Sequence, residues 1–136
     1  MPVHVERLPN EPILIATLSG LVTEHDFFEL YHLSSALIGT EPGMFHRISD
    51  LRDATSTFGD ILKAIQKAAQ EMPASLMDPQ IQVTFVGENT WINLARDFFL
   101  KRGINLPVFL EMESALESVR IRIASEQKNS GVLSEQ

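Results

Sequence analysis

The chain has 136 residues, of which 44% are hydrophobic and 21% charged, with a formal net charge of −7 and no cysteine. A chain of this length suits one domain with a core of its own. The negative charge disfavours nonspecific nucleic-acid binding and attachment to an anionic membrane surface, because the phosphates would be repelled. Without cysteine there is no disulfide, thiol nucleophile or cysteine-ligated metal. The sequence shows neither a secretory leader nor an apolar run of bilayer length, so we expect a cytoplasmic protein without a membrane span.

The first part of the chain predicts a hairpin, a helix and a third strand. Val3–Leu8 alternates apolar and polar residues, and Ile13–Gly20 follows the turn residues PNEP as a more buried strand. A Thr-x-x-Asp capping-box pattern at Thr23 then begins a helix whose apolar residues recur every three or four positions until Gly39. Phe45–Leu51 is predicted to be the third strand.

The rest of the chain alternates helices with strands. An apolar stripe from Phe58 to Met72 predicts a second helix, and Ile81–Gly87 alternates as a strand. ENTWINLARDFFLKRG predicts a third helix, LPVFLEM a short strand and ESALESVRIRIASEQ a fourth helix. We expect one domain over residues 1–125 and a flexible C-terminal tail over residues 126–136, where no periodic apolar face remains.

This order of elements predicts an α/β fold. Strands separated by single helices favour a largely parallel sheet with crossover connections, and the opening hairpin adds one antiparallel edge strand. The expected architecture is a mixed, mostly parallel five-stranded sheet with an N-terminal hairpin and four helices.

The order of elements, with particular residues at their junctions, resembles the STAS family (sulfate transporter and anti-sigma-factor antagonist domains). The stretches that carry the resemblance are the hairpin end IATLSG, the helix start LVTEHDF, the strand RISDLRDA, and the later VTFVGENTW and VFLEMESALESV. They are most similar to the divergent branch of antagonist-like single-domain proteins. The resemblance implies a STAS-like fold and a non-catalytic regulatory module that binds a protein partner.

In regulatory members of that family, a serine or threonine at the start of the second helix is phosphorylated by a partner kinase, which is also the anti-sigma factor. Phosphorylation dissociates the complex, because it puts a doubly charged group into a fitted interface. The corresponding stretch here is ATSTFGD, so the resemblance implies Ser56 and Thr57 as candidate phosphoacceptors. The stretch departs from the family's Asp-Ser-Ser-Gly motif, since no acid directly precedes the hydroxyls and Phe58 stands before Gly59.

The residues around these hydroxyls are the expected partner-binding surface: Asp50, Arg52, Asp53, Phe58 and Gly59. A structural role is favoured, in which Ser56 or Thr57 only caps the second helix, because Thr57 and Asp60 have the spacing of a capping box. The two roles are compatible with each other. Asp50 and Asp53 could also be read as paired carboxylates for acid–base chemistry or Mg²⁺ binding. That interpretation is disfavoured, since no third acid is close in sequence and no nucleophile has an evident base.

The histidines do not predict a metal site, since His4, His25, His32 and His46 lack the spacing of a ligand set. His46, on an inner strand, suits a hydrogen-bonded core histidine better than a catalyst. We therefore expect no metal, no cofactor and no enzymatic activity.

Apolar residues beside the second and third helices form a candidate patch: Met72, Leu76, Met77 and Trp91. Such residues pack in cores and are enriched in interfaces, so homodimerisation is compatible with them. They also support a rival hypothesis, in which the protein binds a small apolar, lipid-like ligand between the helices and the sheet. That hypothesis requires a continuous apolar cavity.

Overall fold

The structure is a computed structural model that describes residues 3–68, 78–101 and 103–134. Within these residues the chain forms five strands and four helices in the predicted order. The elements are β1 (Val3–Arg7), β2 (Ile13–Val22), α1 (Glu24–Ile38), β3 (Phe45–Ser56), α2 (Phe58–Ala68), β4 (Ile81–Val86), α3 (Thr90–Leu100), β5 (Val108–Phe109) and α4 (Met112–Ser134).

The five strands form one sheet in the order β1-β2-β3-β4-β5. The first two are antiparallel, with Val5 opposite Ala16, and every other neighbouring pair is parallel. The predicted α/β class, with a mostly parallel sheet opened by a hairpin, is confirmed.

Helices cover both faces of the sheet at its central strands. On one face, side chains from α1, α2 and α3, among them Tyr31, Ile61 and Phe99, pack in one apolar cluster with those of the strands. On the other face, Ala115 and Val119 of α4 pack in a smaller cluster of their own. The inner strand β3 is buried on both faces over residues 45–49, as expected for a strand enclosed between helices.

Two strands are longer than the sequence predicts. β2 continues to Val22 and β3 to Ser56, because the last residues of the two strands pair with each other from Ser19 opposite Asp53 onward. The register shifts between Thr17 and Ser19, which places one extra residue in β3 at this point. The stretch that follows Leu51 is therefore strand, not loop.

The fourth helix also extends past its predicted end. The backbone of α4 is helical to Ser134, beyond the boundary expected at residue 125. Whether residues 126–136 behave as a flexible tail stays a prediction. Within the described ranges, no helix is both long enough and apolar enough to cross a membrane.

Candidate functional site

The candidate site lies at the ends of β2 and β3, which extend beyond the other strands of the sheet. The last residue of β3 that pairs with β4 is Asp50, opposite Val86, so the residues beyond it have a strand partner on one side only. On the open side, Asn89 Nδ2 donates hydrogen bonds to the carbonyl oxygens of Leu51 at 3.2 Å and of Ala54 at 3.3 Å. Asn89, which precedes α3, therefore holds the free edge of β3 in place.

Gly87, the residue that follows β4, lets the backbone pass close to both β3 and α3 because it has no side chain. Gly87 has a φ of 149°, and a Cβ added to it would lie 2.9 Å from Ile92 Cδ1 and 3.3 Å from the carbonyl carbon of Leu51. Its amide donates to the carbonyl of Phe109 at 2.9 Å. Gly87 thus allows the end of β4 to pass between β3 and α3 without a side chain.

Asp50 and Asp53, the two acids of the candidate site, have different environments. Arg52 Nη2 donates to Asp50 Oδ2 at 2.8 Å and its Nε donates to Oδ1 at 3.0 Å, a bidentate pair. The hydrogen bonds from Arg52 hold the pKa of the Asp50 carboxyl below its usual range. Asp53 is exposed one residue further on, opposite Ser19. Arg52 Nη1 also lies 3.8 Å from Glu111 Oε2, so the guanidinium interacts with two carboxylates.

This pairing bears on the interpretation of Asp50 and Asp53 as a catalytic or magnesium site. Arg52 neutralises the charge of Asp50, and each of the two carboxylate oxygens accepts a hydrogen bond from it. Within the described ranges, the structure brings no three histidines, aspartates or glutamates together as a metal site.

The two candidate phosphoacceptors are placed differently. Ser56 is the last residue of β3 and is half-buried, and its Oγ donates to the carbonyl of Val22 at 2.8 Å. Ser56 therefore closes the β2–β3 pair and does not cap the second helix. The cap is Thr57, whose exposed side chain accepts from the Asp60 amide at 3.1 Å.

The cap of α2 also reaches α1. Thr57 Oγ1 donates to Asp60 Oδ2 at 2.8 Å, and Asp60 Oδ1 accepts a hydrogen bond from the Glu24 amide at 3.1 Å. One carboxylate thus serves the first turns of two helices, and these two bonds keep the pKa of Asp60 below its usual range. The sequence pattern predicted the Thr57–Asp60 half of this contact. No local signal pointed to Glu24, which lies 36 residues away.

Some of the remaining candidate residues lie within the described ranges and others lie outside them. Phe58 is the first residue of α2, and Gly59, which follows it, is exposed. Met72, Leu76 and Met77 lie outside the described residues.

Trp91 is only 9% exposed, with its ring edge-on to Phe27 at 6.5 Å between centroids. In this structure Trp91 belongs to the core between α1 and α3, so it adds little to an exposed patch.

Two small voids lie in the layer between the helices and the sheet, each with a volume of about 30 Å³. Both are bounded by the same four aromatic residues, Phe27, Tyr31, Phe85 and Trp91. Pockets for drug-sized ligands typically occupy about 300–1,000 Å³. The lipid-like ligand of the rival hypothesis therefore does not fit these two voids in this conformation.

His46 is a core residue, as expected, on the face covered by α4. It is 1% exposed, and its Nε2 lies 3.4 Å from Glu126 Oε2. Burial lowers the pKa of the imidazole below its usual value, an effect that nearby Glu126 opposes and Arg122 reinforces. His46 is therefore neutral at neutral pH.

This burial predicts a pH dependence of stability. Because the pKa of His46 is lower in the folded than in the unfolded state, the unfolded state takes up a proton first as the pH falls through 6.5. Stability contributed by neutral His46 is thus fully present above that pH and is lost below it. We expect His46→Gln to flatten the decline in unfolding free energy between about pH 7.5 and 5.5. Denaturant titrations at several pH values measure the unfolding free energy, with exposed His32→Gln as the control. If the pH dependence in His46→Gln equals that of the wild type, His46 is not the group responsible.

Comparison with known proteins identifies the fold. No protein-family model matches the chain, and no curated protein matches it. Among solved structures, it is similar to an uncharacterized protein of the DUF3478 family with a SpoIIAA-like fold from Shewanella loihica PV-4. The TM-score is 0.57 and the identity 12%, over 85% of this chain and 90% of that one.

It is also similar to an anti-sigma factor antagonist from Mycobacterium paratuberculosis, with a TM-score of 0.53 and 17% identity, over 87% of this chain and 92% of that one. The chain is thus an α/β protein of the class expected from the STAS resemblance. Its particular fold is SpoIIAA-like, shared with an anti-sigma factor antagonist.

Proposed function

We propose that this protein is a non-catalytic regulatory module of the anti-sigma-factor-antagonist type, which binds a protein partner through the end of β3 and the start of α2. The fold supports this class at low sequence identity. The observation that carries the proposal is the exposed Thr57 hydroxyl, which caps α2 and shares Asp60 with the first turn of α1. A chemical change at this one hydroxyl affects two helices.

The docking surface includes an exposed ledge formed by the last residues of β2 and β3. Ser19 and Leu21 lie opposite Asp53 and Thr55, and all four side chains are exposed. By strand alternation they lie on the sheet face that α4 covers further back, where Ile13 and Ile15 are buried. Leu21 is 61% exposed, so the ledge offers one apolar anchor among polar groups.

Phosphorylation would act on this surface through charge. A phosphate on Thr57 adds about −1.5 to −2 charges within hydrogen-bonding distance of the Asp60 carboxylate. The phosphate would replace the hydrogen that Thr57 Oγ1 donates to Asp60, so this bond would be lost, and charge repulsion would weaken the hydrogen bond between Asp60 and the start of α1. Ser56 is the less suitable acceptor, because its side chain is half-buried whereas that of Thr57 is exposed. We therefore propose Thr57 as the switch residue in preference to Ser56. The sequence alone did not distinguish between the two.

The test combines modification with binding. We expect a kinase from the source cells, supplied with ATP, to add one phosphate to the protein and to the Ser56→Ala and Thr55→Ala variants, but none to Thr57→Ala. Intact-mass and fragment spectra read the site. A partner recovered by cross-linking should bind wild type and Thr57→Ser, which keeps the hydroxyl, and should lose affinity for Thr57→Glu.

Thr55→Ala is the matched control, since this exposed hydroxyl lies two residues away and makes only a long, 3.5 Å bond to Gly20. A phosphate located elsewhere, or a partner that binds Thr57→Glu as tightly as wild type, would refute the switch. A partner whose binding is unaffected by Leu21→Asp and Asp53→Lys would refute the docking surface.

A further inference from the structure

The two halves of α4 contact the sheet in different ways. In the first half, Ala115 and Val119 are fully buried and pack against the apolar side chains of the strands. In the second half, residues 120–134, called here the latch, none of the side chains described at positions 120–127 is buried. Among them Ile123 alone packs against the apolar cluster. The latch therefore gains little from apolar burial over these positions.

Polar contacts join the latch to the sheet instead. Arg122 Nη2 donates to Thr84 Oγ1 at 2.9 Å. Four residues further along the helix, Glu126 Oε2 lies 3.4 Å from His46 Nε2. Arg120 adds a bidentate ion pair with the turn after β1, but this pair lies on the surface, where such pairs contribute little to stability. The contacts with His46 and Thr84 are thus the ones that decide how firmly the latch is held.

These contacts leave buried polar atoms without partners. His46 and Thr84 are each 1% exposed. Within the part of the chain that the structure describes, His46 Nδ1 and Arg122 Nε are buried and have no hydrogen-bond partner. Opening of the latch would let water bind both atoms, so their burial destabilises the closed state. A segment with little apolar burial and unpartnered polar atoms opens at a lower free energy than the core of its protein.

We propose that the latch opens independently of the rest of the protein, and that acid promotes its opening by protonating His46. Closed at neutral pH, the latch hides His46 and Thr84 on the sheet, and in mild acid it exposes them. His46 is the second residue of β3, whereas Thr57 follows the last one. The latch is therefore at the opposite end of the strand from the proposed docking site and does not depend on it.

The groups around His46 determine the direction of the response. Its neighbours on the adjacent strands, Ile13 and Gln82, are uncharged. From α4, Arg122 and Glu126 face it with opposite charges. Burial lowers the pKa of His46, Arg122 acts in the same direction, and Glu126 opposes both. His46 therefore binds a proton more readily when the latch is open, so acid shifts the population towards the open state.

Amide hydrogen exchange of the full-length protein, followed by mass spectrometry, tests the device. At pH 7.5 we expect amides at positions 120–127 to exchange at least about tenfold faster than those of α1, after correction for the chemical exchange rate. Between pH 7.5 and 5.5 the open fraction of the latch should rise, by up to about tenfold for a single histidine. Equal protection of the latch and of α1 at pH 7.5 would overturn independent opening.

Two variants of one contact should change the acid response in opposite directions. His46→Gln removes the group that binds the proton, so the open fraction should be the same at both pH values. Glu126→Gln removes the attraction that opposes the lowering of the pKa of His46, so its response should exceed that of wild type and approach the tenfold limit. Glu117→Gln makes the same change of charge at an exposed position in the first half of α4, and should respond as wild type does.

The variants also distinguish the latch from an ordinary frayed helix end, whose exchange would not depend on His46. An acid response that persists in His46→Gln would overturn the role of this residue. A smaller response in Glu126→Gln than in wild type would mean that protonated His46 holds the latch closed through an ion pair, which is the opposite of the proposal. None of these results bears on Thr57.

Discussion

Replacing Phe99 with alanine is expected to lower the free energy of unfolding by about 3–5 kcal/mol, the usual range for removing a buried phenyl ring. Phe99 is 0% exposed near the end of α3 and packs edge-on against Phe98 with ring centroids 5.6 Å apart. It also lines one of the two small voids between the helices and the sheet, so the cavity left behind would merge with existing free space and would be poorly filled by its neighbours.

The measurement is urea or thermal unfolding followed by circular dichroism. Leu100→Ala is the matched control, because the neighbouring residue on the same helix is 57% exposed and should change stability by less than about 0.5 kcal/mol. Equal losses in the two variants would mean that α3 does not pack on the sheet in this orientation.

Replacing Gly87 with alanine is expected to lower the free energy of unfolding by about 2–5 kcal/mol, from backbone strain and a steric clash together. A φ of 149° is outside the range that alanine readily adopts. In addition, the new methyl group would lie 3.3 Å from the backbone of Leu51, which cannot rotate away, and 2.9 Å from Ile92 Cδ1. Relief of the clash would displace the end of β3 and with it Arg52.

The control for Gly87→Ala isolates the backbone contribution. Gly43 also has a positive φ, 102°, but no atom lies within 4 Å of the position of its Cβ. Gly43→Ala should therefore show strain without a clash and lose about 1–3 kcal/mol at most. Amide chemical shifts around Arg52 should move in Gly87→Ala and stay constant in Gly43→Ala. If these shifts stay constant in Gly87→Ala as well, Gly87 does not position the site.

Local sequence patterns were sufficient for the order and type of the elements. Apolar alternation in Ile81–Val86 and a helical apolar period in α3 are short-range properties, so they can be read without knowledge of the fold. The strand at the end of β3 could not be read in this way. Asp53, Thr55 and Ser56 are polar residues of the kind found in loops, and they are held in a strand only because β2 pairs with them.

The three consecutive hydroxyl residues after Ala54 show the same limit of prediction from sequence. Three consecutive hydroxyls have three different surroundings: Thr55 is exposed on the ledge, Ser56 bonds to β2, and Thr57 caps α2. The sequence could identify a cap among them from the spacing to Asp60. It could not assign Ser56 to a strand, or predict that Asp60 also contacts α1, because both depend on residues more than 30 positions away.

The burial of Arg47 was likewise invisible from sequence, because an arginine within FHRISDL reads as the polar position of a half-exposed strand. Its burial follows from coverage of that face by α1, where Ser34 accepts from its guanidinium. The burial of Arg47 is therefore a tertiary property, formed by α1 and the sheet together.

The two outermost strands limit how copies of this protein can associate. β5 has only two residues, so it presents almost no unpaired backbone to another chain. β1 carries the polar side chains of His4, Glu6 and Arg7 along its five residues. Short or charged borders of this kind disfavour growth of a sheet from one molecule into the next. Any dimer is therefore expected to join through side chains on a helix or sheet face, and to remain a closed pair that does not extend into fibres.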